Sequence, residues 1–320
     1  MKGVHVPLDH PLERNTAILP TPALNLCVSE IKSWVENYVP GGILYGTQRV
    51  GKTFASKFIE KRVVELFGEQ IPAFFHCCSD PKNPTELDLF SGLLHTTGFT
   101  LDAPTRTNRA RLSIVNHFEC ISLDSKDNRI ILLLDDAQWI VRSEYHWLMW
   151  LHNELDKRGI FLIVALVGQP ELLTKADLLL EFPEITARFM AEVVEVKGIC
   201  DRSELEFIFE ALDTKSEFPV GSGISYTAAY VPKGHNKGFR LASHSDRIFD
   251  LFKREAADHK VKKFDQLTMQ TVKRLTVTLL RQLSALDSES VQLLDSMVIE
   301  SIAKSGFHRL ELRQTNRKPT

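Results

Sequence analysis

Residues 41–54, GGILYGTQRVGKTF, place a short apolar run directly before a glycine-bracketed loop that ends in Gly51-Lys52-Thr53. Residues 46–53 fit the pattern G-x-x-x-x-G-K-[ST], and they lie between a strand-like run and a helix-like pattern, as a phosphate-binding loop requires. Glycines let backbone N–H groups approach phosphate oxygens, and the positive end of the following helix adds to the attraction. A chance glycine turn followed by a lysine is the alternative. The stretch therefore predicts a nucleotide-binding site.

The residues of this loop have distinct expected roles. Lys52 neutralises the β- and γ-phosphate oxygens, and Thr53 presents its hydroxyl to Mg²⁺. ATP and Mg²⁺ are therefore the predicted cofactors. The residues predicted to contact the nucleotide here are Gly46, Thr47, Gln48, Arg49, Val50, Gly51, Lys52, Thr53 and Phe54.

Composition limits the class of protein. The chain has 320 residues, of which 43 % are hydrophobic, and this is enough to fill one large or two ordinary domains. Its 39 basic and 41 acidic side chains give a net charge of -2, so any nucleic-acid binding must come from a local basic surface. Five cysteines without metal-site spacing predict a reduced, cytoplasmic chain. No apolar run reaches the roughly 20 residues of a membrane span, so we expect no membrane partner.

Five apolar runs, separated by helical patterns, indicate the fold class. Their unbroken apolar character suits strands that helices cover on both faces. We predict an α/β P-loop fold with a five-stranded parallel sheet between helices, followed by a helical lid. The runs are GILYG, IPAFFHCC, RIILLLD, IFLIVALVG and EVVEV.

The same patterns divide the chain. Residues 1–28 are proline-rich and predict an extended arm, residues 29–200 the α/β nucleotide domain, and residues 201–303 the helical lid and C-terminal helices. Residues 213–236 are rich in glycine, proline and serine and predict a loop or insertion, and residues 304–320 form a basic tail. Arm and tail are predicted to bind partners, with unstructured ends as the alternative.

The third apolar run ends in two acidic residues. In RIILLLDDAQW, Asp135 is predicted to hold Mg²⁺ and Asp136 to polarise the water that attacks the γ-phosphate. ATPases with an additional central strand usually place a glutamate at this second position, so Asp136 is one methylene shorter. Because a misplacement of about 1 Å can cost on the order of 10²-fold in rate, we expect slow hydrolysis. A helix N-cap beside a solvated acid is the alternative for this pair.

Three further residues are candidates for contacts to the phosphate groups. Gln169 follows the fourth apolar run and could reach the γ-phosphate, or it could merely begin a helix through its Gln-Pro turn. Arg188 precedes the last run, where a ring-forming ATPase directs an arginine finger at its neighbour's nucleotide. Arg240, placed after Gly238 at the predicted start of a lid helix, could contact the phosphate of its own subunit. Solvated or ion-paired arginines are the alternative for both positions.

Together these motifs resemble AAA+ ATPases, in the order GTQRVGKT, ILLLDDAQ, VGQPEL, ARF and GFR. The DDAQ and GQPEL signatures, with ERNTAILPT and WVENYVPGGILYG before them, look like the TnsC/TniB transposition regulators and their ExeA-like relatives. The similarity covers residues from about 14 to 255, and the chain length resembles the compact TnsC proteins of CRISPR-associated transposons. Asp136 and the 213–236 insertion depart from the family pattern.

The resemblance implies ATP-dependent assembly around double-stranded DNA, as hexameric or heptameric rings or as helical filaments. Such proteins link a target-selecting, TniQ-like protein to the transposase. In ATPases of this kind the DNA-facing surface comes from the segment between the second strand and the Asp135 strand. Contacts there go to phosphates and carry no sequence preference. The predicted DNA-binding residues are Thr105, Arg106, Arg109 and Arg111, with a solvated helix start as the alternative.

Three functions therefore stay open from the sequence. The first is a DNA-binding AAA+ regulator in which ATP controls oligomerisation and partner recruitment. The second is a helicase loader or remodelling motor, in which continuous turnover is the output. The third is an ExeA-like ATPase, although the periplasmic domain and membrane span usual in that group are absent from this sequence.

Overall fold

A computed structural model describes residues 4, 6–47, 59, 62, 65–67, 71–80, 82–101, 106–259 and 264–307. The chain folds as two compact units. The described residues between 24 and 196 form the first unit, and those of 1–23 and 197–320 form the second.

The first unit is built on a five-stranded sheet whose neighbouring strands all pair in parallel. Each of the five predicted strands is present, within one or two residues of its predicted ends. The order across the sheet is β2-β3-β4-β1-β5. The strands are β1 (Gly41–Tyr45), β2 (Ala73–Cys77), β3 (Arg129–Asp135), β4 (Phe161–Gly168) and β5 (Glu192–Glu195).

Helices connect the strands of this unit, as parallel pairing requires. The described residues 59, 62 and 65–67 are helical as well. The helices of known extent are α1 (Pro22–Glu36), α2 (Glu86–Thr96), α3 (Thr107–Ser125), α4 (Arg142–Asp156), α5 (Glu171–Leu178) and α6 (Pro183–Phe189).

Burial explains why the central strands lack alternation. From Ile130 to Asp135 every residue of β3 is buried, and the same holds for β4 from Leu162 to Gly168. One face packs in a core cluster with α2, α3, α4 and α6. β5 differs from the predicted both-face burial, because it lies at the sheet edge and exposes Glu192, Val193 and Glu195. Charged residues on an edge strand discourage pairing with another chain.

The second unit is helical, as predicted for the lid and C-terminal region. Its apolar faces meet in a cluster of their own, which includes Phe209, Phe249, Phe252 and Leu279. Its elements are α7 (Arg202–Glu210), a π-helical turn (Ala211–Lys215), α8 (Tyr226–Tyr230), α9 (Pro232–Asn236), a 3-10 turn (Ala242–His244), α10 (Ser245–Asp258), α11 (Met269–Ala285) and α12 (Asp295–Ser305).

The segment 213–236 differs from the predicted loop. Two short helices, α8 and α9, occupy its second half, and Tyr230 and Val231 are buried in the core of the second unit. The Ser225 hydroxyl caps α8 by accepting from the backbone N–H of Ala228. Glycine and proline content predicted the turns, whereas the short helices are stabilised by packing.

The N-terminal arm also differs from its prediction as an extended segment. α1 begins at Pro22, because proline suits the first position of a helix, where its missing N–H is not needed. Before it, Leu12, Ala17 and Leu19 are buried in the core of the second unit. The arm is therefore packed inside that unit along part of its length.

Polar contacts fix the arm to α8 and α11. The Glu13 carboxylate accepts from the Tyr230 hydroxyl at 2.8 Å and from Nε of Arg281 at 3.0 Å. The hydrogen bond from Arg281, and to a smaller extent that from Tyr230, holds the pKa of Glu13 below its ordinary value. The Lys273 ammonium donates to the carbonyls of Asn15 and Ala17, both at 2.9 Å. A buried ammonium group needs hydrogen-bond acceptors, and the arm provides two of them to Lys273 of α11.

His10 adds a ring contact at the same place. It is fully buried and meets the rings of Phe218, Tyr226 and Tyr230 edge-on, at centroid distances of 5.0, 4.7 and 5.3 Å. Its Nδ1 accepts from the backbone N–H of Leu12. Burial lowers the pKa of this imidazole. The neutral ring therefore acts as an aromatic packing group between arm and helices.

The first residue of the predicted basic tail belongs to the last described helix of the second unit. Lys304 lies in the last turn of α12 and forms an ion pair with Glu300. The rest of the predicted basic tail, from residue 308 onward, lies outside the described residues. Across the described ranges, none of the helices has the length and apolar character that crossing a bilayer demands.

Packing of the arm predicts the effect of one core substitution. Leu12→Ala should lower the free energy of unfolding of the second unit by about 2–5 kcal/mol, because it leaves a cavity in a closed core. Leu8→Ala is the matched control, since Leu8 is 84 % exposed, and should change stability by less than about 0.5 kcal/mol. Urea unfolding of both variants measures this difference. Equal stability of the two variants would show that the arm does not contribute to the core.

Candidate nucleotide-binding site

The carboxyl ends of the central strands bring the predicted residues together. In the sheet order, β4 lies between β1 and β3, so Gly46, Asp135 and Gly168 mark three adjacent strand ends. The backbone N–H of Gly46 donates to the carbonyl of Gly168 at 3.2 Å, which extends the β1–β4 pairing into the start of the loop. Open α/β sheets bind ligands outside this edge. The predicted loop residues Gln48–Phe54 lie outside the described residues, whereas Gly46 and Thr47 stand at the predicted position.

Asp135 ends β3 and is 2 % exposed. Its carbonyl accepts from the backbone N–H of Cys78 at 2.9 Å, so the strand end is held from the β2 side. Burial raises the pKa of the neighbouring Cys77 thiol, and the charges of Asp135 and Asp136 raise it further. The two carboxylates therefore create a negative potential at this edge.

That potential suits a hard divalent cation, for which carboxylate oxygens are the usual ligands. Asp135 fits the predicted role of holding Mg²⁺, and Thr53, its predicted partner, lies outside the described residues. In the part of the chain that the structure describes, no group of three or more His, Cys, Asp or Glu residues forms a metal cage. A cation held by one carboxylate and by phosphate oxygens, as Mg²⁺ often is, needs no such cage.

Asp136 has an unusual backbone. Its φ of 53° and ψ of 37° put it in the left-handed region, at the start of the 3-10 turn Ala137–Trp139. Aspartate and asparagine tolerate this region better than longer side chains, because a short polar group can bond locally. The backbone therefore gives a structural reason for aspartate at a position where glutamate is usual.

Gln138 is a site residue that the sequence did not reveal as one. Its Nε2 donates to Oδ1 of Asp136 at 2.9 Å, and its Oε1 accepts from the backbone N–H of Gln169 at 3.1 Å. The side chain joins the end of β3 to the end of β4 and is buried, at 6 % exposure. The one sequence feature that could have indicated Gln138 is its position, as a polar residue two places after the acidic pair Asp135-Asp136. Its partner across the sheet, 31 residues later, is visible only in the fold.

Gln169 stands at the tip of β4, as predicted, and its side chain is half-buried. Its carbonyl accepts from the backbone N–H of Leu172 at 2.8 Å and so starts the turn into α5. The helix-start role is therefore present at the strand tip. A γ-phosphate contact by the side chain stays a prediction.

Arg188 lies in the last turn of α6, shortly before β5. Its Nη1 donates to Oδ1 of Asn153 on α4. Burial lowers the pKa of the adjacent His152, and the Arg188 charge lowers it further, so the guanidinium lies against α4 in this chain. An arginine-finger role would require Arg188 to exchange this contact for a phosphate of a neighbouring chain.

Arg240 belongs to the second unit and does not begin a helix. It precedes the 3-10 turn at Ala242, and its Nη1 donates to the carbonyls of His235 at 2.8 Å and Phe239 at 2.7 Å. The buried Asp213 holds the same segment by accepting from the backbone N–H groups of Leu241 and Ala242. The segment is therefore fixed by contacts within its own unit.

The basic cluster around the start of α3 separates into different environments. Arg106 occupies the N-cap position of α3, and both Arg106 and Arg109 are exposed. Arg111 donates to both carboxylate oxygens of Glu86, at 2.5 and 2.8 Å. Its guanidinium also lies 4.8 Å from the ring centroid of Trp150. The charge of Arg111 is thus engaged within the fold, and Thr105 lies outside the described residues.

Comparisons with known proteins agree with this geometry. The family model for the AAA domain matches residues 40–175, which include β1 to β4 and every sheet-edge residue above. A search of curated proteins gave no matching sequence.

Solved structures with a similar fold match most of the chain. The ORC2 protein of Aeropyrum pernix in ADPNP-ADP complexes superposes with a TM-score of 0.61 at 13 % identity, over 96 % of this chain and 75 % of that chain. Its ADP form gives 0.57 at 15 % identity, over 90 % and 68 %. The ORC1 protein of the same organism, in complex with DNA, gives 0.52 at 11 % identity, over 96 % and 72 %. The chain therefore has the AAA+ fold, and residues 40–175 are the part of it that matches the AAA domain model.

Proposed function

We propose that this protein is an ATP-dependent, DNA-binding regulator whose nucleotide controls its assembly on double-stranded DNA. The observation that carries the proposal is the convergence of Gly46, Asp135, Asp136 and Gln169 at one sheet edge, with aspartate in the catalytic position. The more specific form is a TnsC/TniB-type transposition regulator, which rests on the residues that resemble that family. In that form, its partners are a TniQ-like target-selection protein and the transposase subunits.

The nucleotide would be held in two parts. Lys52 and the backbone around Gly46 bind the phosphates, and Thr53 and Asp135 hold Mg²⁺, which neutralises charge on the β- and γ-phosphates when bound. In hydrolysis, the water oxygen bonds to the γ-phosphorus. The bond from that phosphorus to the bridging oxygen breaks, with its electron pair leaving on ADP, and Asp136 accepts the proton of the water.

The geometry of Asp136 supports slow turnover. The carboxylate of Asp136 is one methylene shorter than that of a glutamate, so it reaches about 1 Å less far toward an attacking water. Slow hydrolysis favours a switch, because a protein that keeps ATP for long keeps an ATP-dependent assembly for long. A helicase loader or motor needs fast cycles, which the shorter carboxylate at position 136 disfavours.

Contacts with neighbouring chains complete the proposal. Arg188 would act on a neighbour's γ-phosphate, and Arg240 on the nucleotide of its own chain, each after leaving the carbonyl or amide oxygens that it contacts here. Arginine suits both roles because its planar donors pair with two phosphate oxygens at once. A ring or a helical filament satisfies the requirement that each finger meets a neighbour's site.

DNA binding is proposed for the start of α3. Arg106 and Arg109 are exposed there, next to Thr105, and arginines at such positions contact backbone phosphates without reading sequence. The likeness in fold to ORC1, whose structure is a complex with DNA, supports DNA binding by this chain without indicating the surface used. Arg111 is left out because Glu86 neutralises it.

Assembly on DNA is the central expectation. With a slowly hydrolysed ATP analogue and duplex DNA, the purified protein should form rings or filaments visible by electron microscopy. With ADP, or without DNA, they should be fewer or shorter. A protein that stays monomeric with analogue and DNA contradicts the proposed function.

Substitution of Asp136 distinguishes a switch from a motor. Asp136→Glu should raise the hydrolysis rate on the order of tenfold or more, because the carboxylate gains about 1 Å of reach, and DNA-bound oligomers should become shorter-lived. Asp136→Asn, which suits the left-handed backbone equally well, should slow hydrolysis and leave ATP-dependent oligomers intact. Phosphate release and oligomer lifetime on DNA measure both effects. If the Asp136→Asn variant cannot assemble on DNA with ATP, the hypothesis that ATP acts as a switch is wrong.

The arginines of α3 offer a matched pair for DNA binding. Arg109→Gln should weaken duplex binding equally for all sequences and reduce the slope of log affinity against log salt by about 0.9 per lost phosphate contact. Arg111→Gln, in the same helix but paired with Glu86, should leave the slope unchanged. Titration of labelled DNA at several salt concentrations measures both slopes. Identical slopes for the two variants would remove Arg109 from the DNA surface.

A further inference from the structure

Gln138 uses both ends of its amide at the sheet edge. The backbone N–H of Gln169 can only donate, so the atom facing it at 3.1 Å must be the amide oxygen of Gln138. The amide nitrogen therefore faces Asp136, to whose carboxylate it donates at 2.9 Å. The two contacts fix the orientation of the amide without ambiguity.

The end of β4 is shaped to admit this side chain. A Cβ added to Gly168 would lie 2.8 Å from Oε1 of Gln138 and 2.9 Å from Cδ2 of Leu172. Gly168 does not have a positive φ, so the room it leaves, rather than its backbone conformation, accounts for glycine here. A glycine at this strand end thus lets the Gln138 carbonyl reach the Gln169 amide.

The Gln138 side chain therefore connects the carboxyl ends of β3 and β4, at the edge of the sheet where the nucleotide is proposed to bind. Gly168 also accepts from the backbone N–H of Gly46, so β1, β4 and β3 are joined in series through Gly46, Gly168, Gln138 and Asp136. A shift of the β4 tip moves the Gln169 amide. Because Oε1 and Nε2 of Gln138 belong to one planar amide, the same shift also moves the Nε2 donor that contacts Asp136.

We propose that Gln138 is a positioning residue, which holds the Asp136 carboxylate for hydrolysis and couples it to the tip of β4. This rests on the proposed ATPase function and deepens it. Gln138 does not touch the reacting atoms, and it acts through Asp136. The amide of Gln138 donates to the Asp136 carboxylate at 2.9 Å and so fixes the direction in which that carboxylate points.

The alternative is that Gln138 has a structural role only and stabilises the turn after β3; we call a residue with such a role a latch. A latch and a positioning residue differ in what they change. Loss of a latch lowers stability and nucleotide affinity together, whereas loss of a positioning residue lowers the rate of the chemical step with affinity retained.

Three variants separate these roles. Gln138→Met has nearly the same shape and loses both hydrogen bonds. Gln138→Glu keeps an acceptor for the Gln169 amide and replaces the donor that faces Asp136 with a carboxylate. Gln266→Met is the matched control in the second unit, because Gln266 likewise accepts from a backbone N–H, that of Gly198, at 2.5 Å.

Single-turnover ATP hydrolysis and equilibrium binding of a fluorescent ATP analogue are measured for the full-length variants. Both Gln138 variants should hydrolyse ATP about 10- to 100-fold more slowly than the wild type, since Asp136 loses its placement. Their nucleotide affinity should change by less than about threefold. Gln266→Met should retain the wild-type rate.

A double-mutant comparison tests whether Gln138 acts through Asp136. In the Asp136→Ala background, Gln138→Met should cause little further loss of rate, because the group it positions is gone. Multiplicative losses in the double variant would mean that Gln138 acts independently of Asp136, and they would overturn the inference.

The remaining outcomes are also decisive. A wild-type protein that binds and hydrolyses ATP, with both Gln138 variants within about threefold of its rate, overturns this inference and leaves the proposed function standing. Equal loss of rate and affinity in Gln138→Glu identifies a latch instead. Melting temperatures identify a misfolded Gln138→Met, in which case Gln138→Glu decides. A wild-type protein that neither binds nor hydrolyses ATP overturns the proposed function, and this inference with it.

Discussion

The site depends on the parallel pairing of β4 with both β1 and β3. This pairing places Gly46, Asp135 and Gly168 at neighbouring strand ends, although they are far apart in the chain. The central strands can pair in this way only because both of their faces are buried, which the unbroken apolar runs of β3 and β4 permit. The described polar groups at these strand ends are thus positioned by the apolar core beneath them.

Hydrogen bonds from uncharged donors join the described strand ends at this edge of the sheet. The amide of Gln138 joins Asp136 to the Gln169 backbone, and the Gly46 amide joins β1 to β4. An uncharged donor orients a carboxylate without pairing it with a positive charge, whereas an arginine forms an ion pair with it. Arg111 shows the contrast, because its pairing with Glu86 engages its charge in the fold.

In the second unit, hydrogen bonds again join segments that are far apart in the chain. Its arm is held by buried polar contacts, in which Glu13 meets Tyr230 and Arg281, and Lys273 meets two backbone carbonyls. Breaking such contacts without replacing them leaves buried donors unpaired, which is costly. The described part of the arm from Leu12 to Leu19 therefore belongs to a folded unit.

The sequence by itself determined the five strands, the phosphate-loop pattern and the two acids, because apolar runs and short motifs are local properties of the chain. It also placed Gln169 at a strand tip. The tertiary structure alone decided which partners these residues have. Gln138 meets an amide 31 residues away, Arg111 meets Glu86 25 residues away, and Glu13 meets Arg281 268 residues away. No local pattern specifies such partners, since they depend on which strands and helices pack side by side.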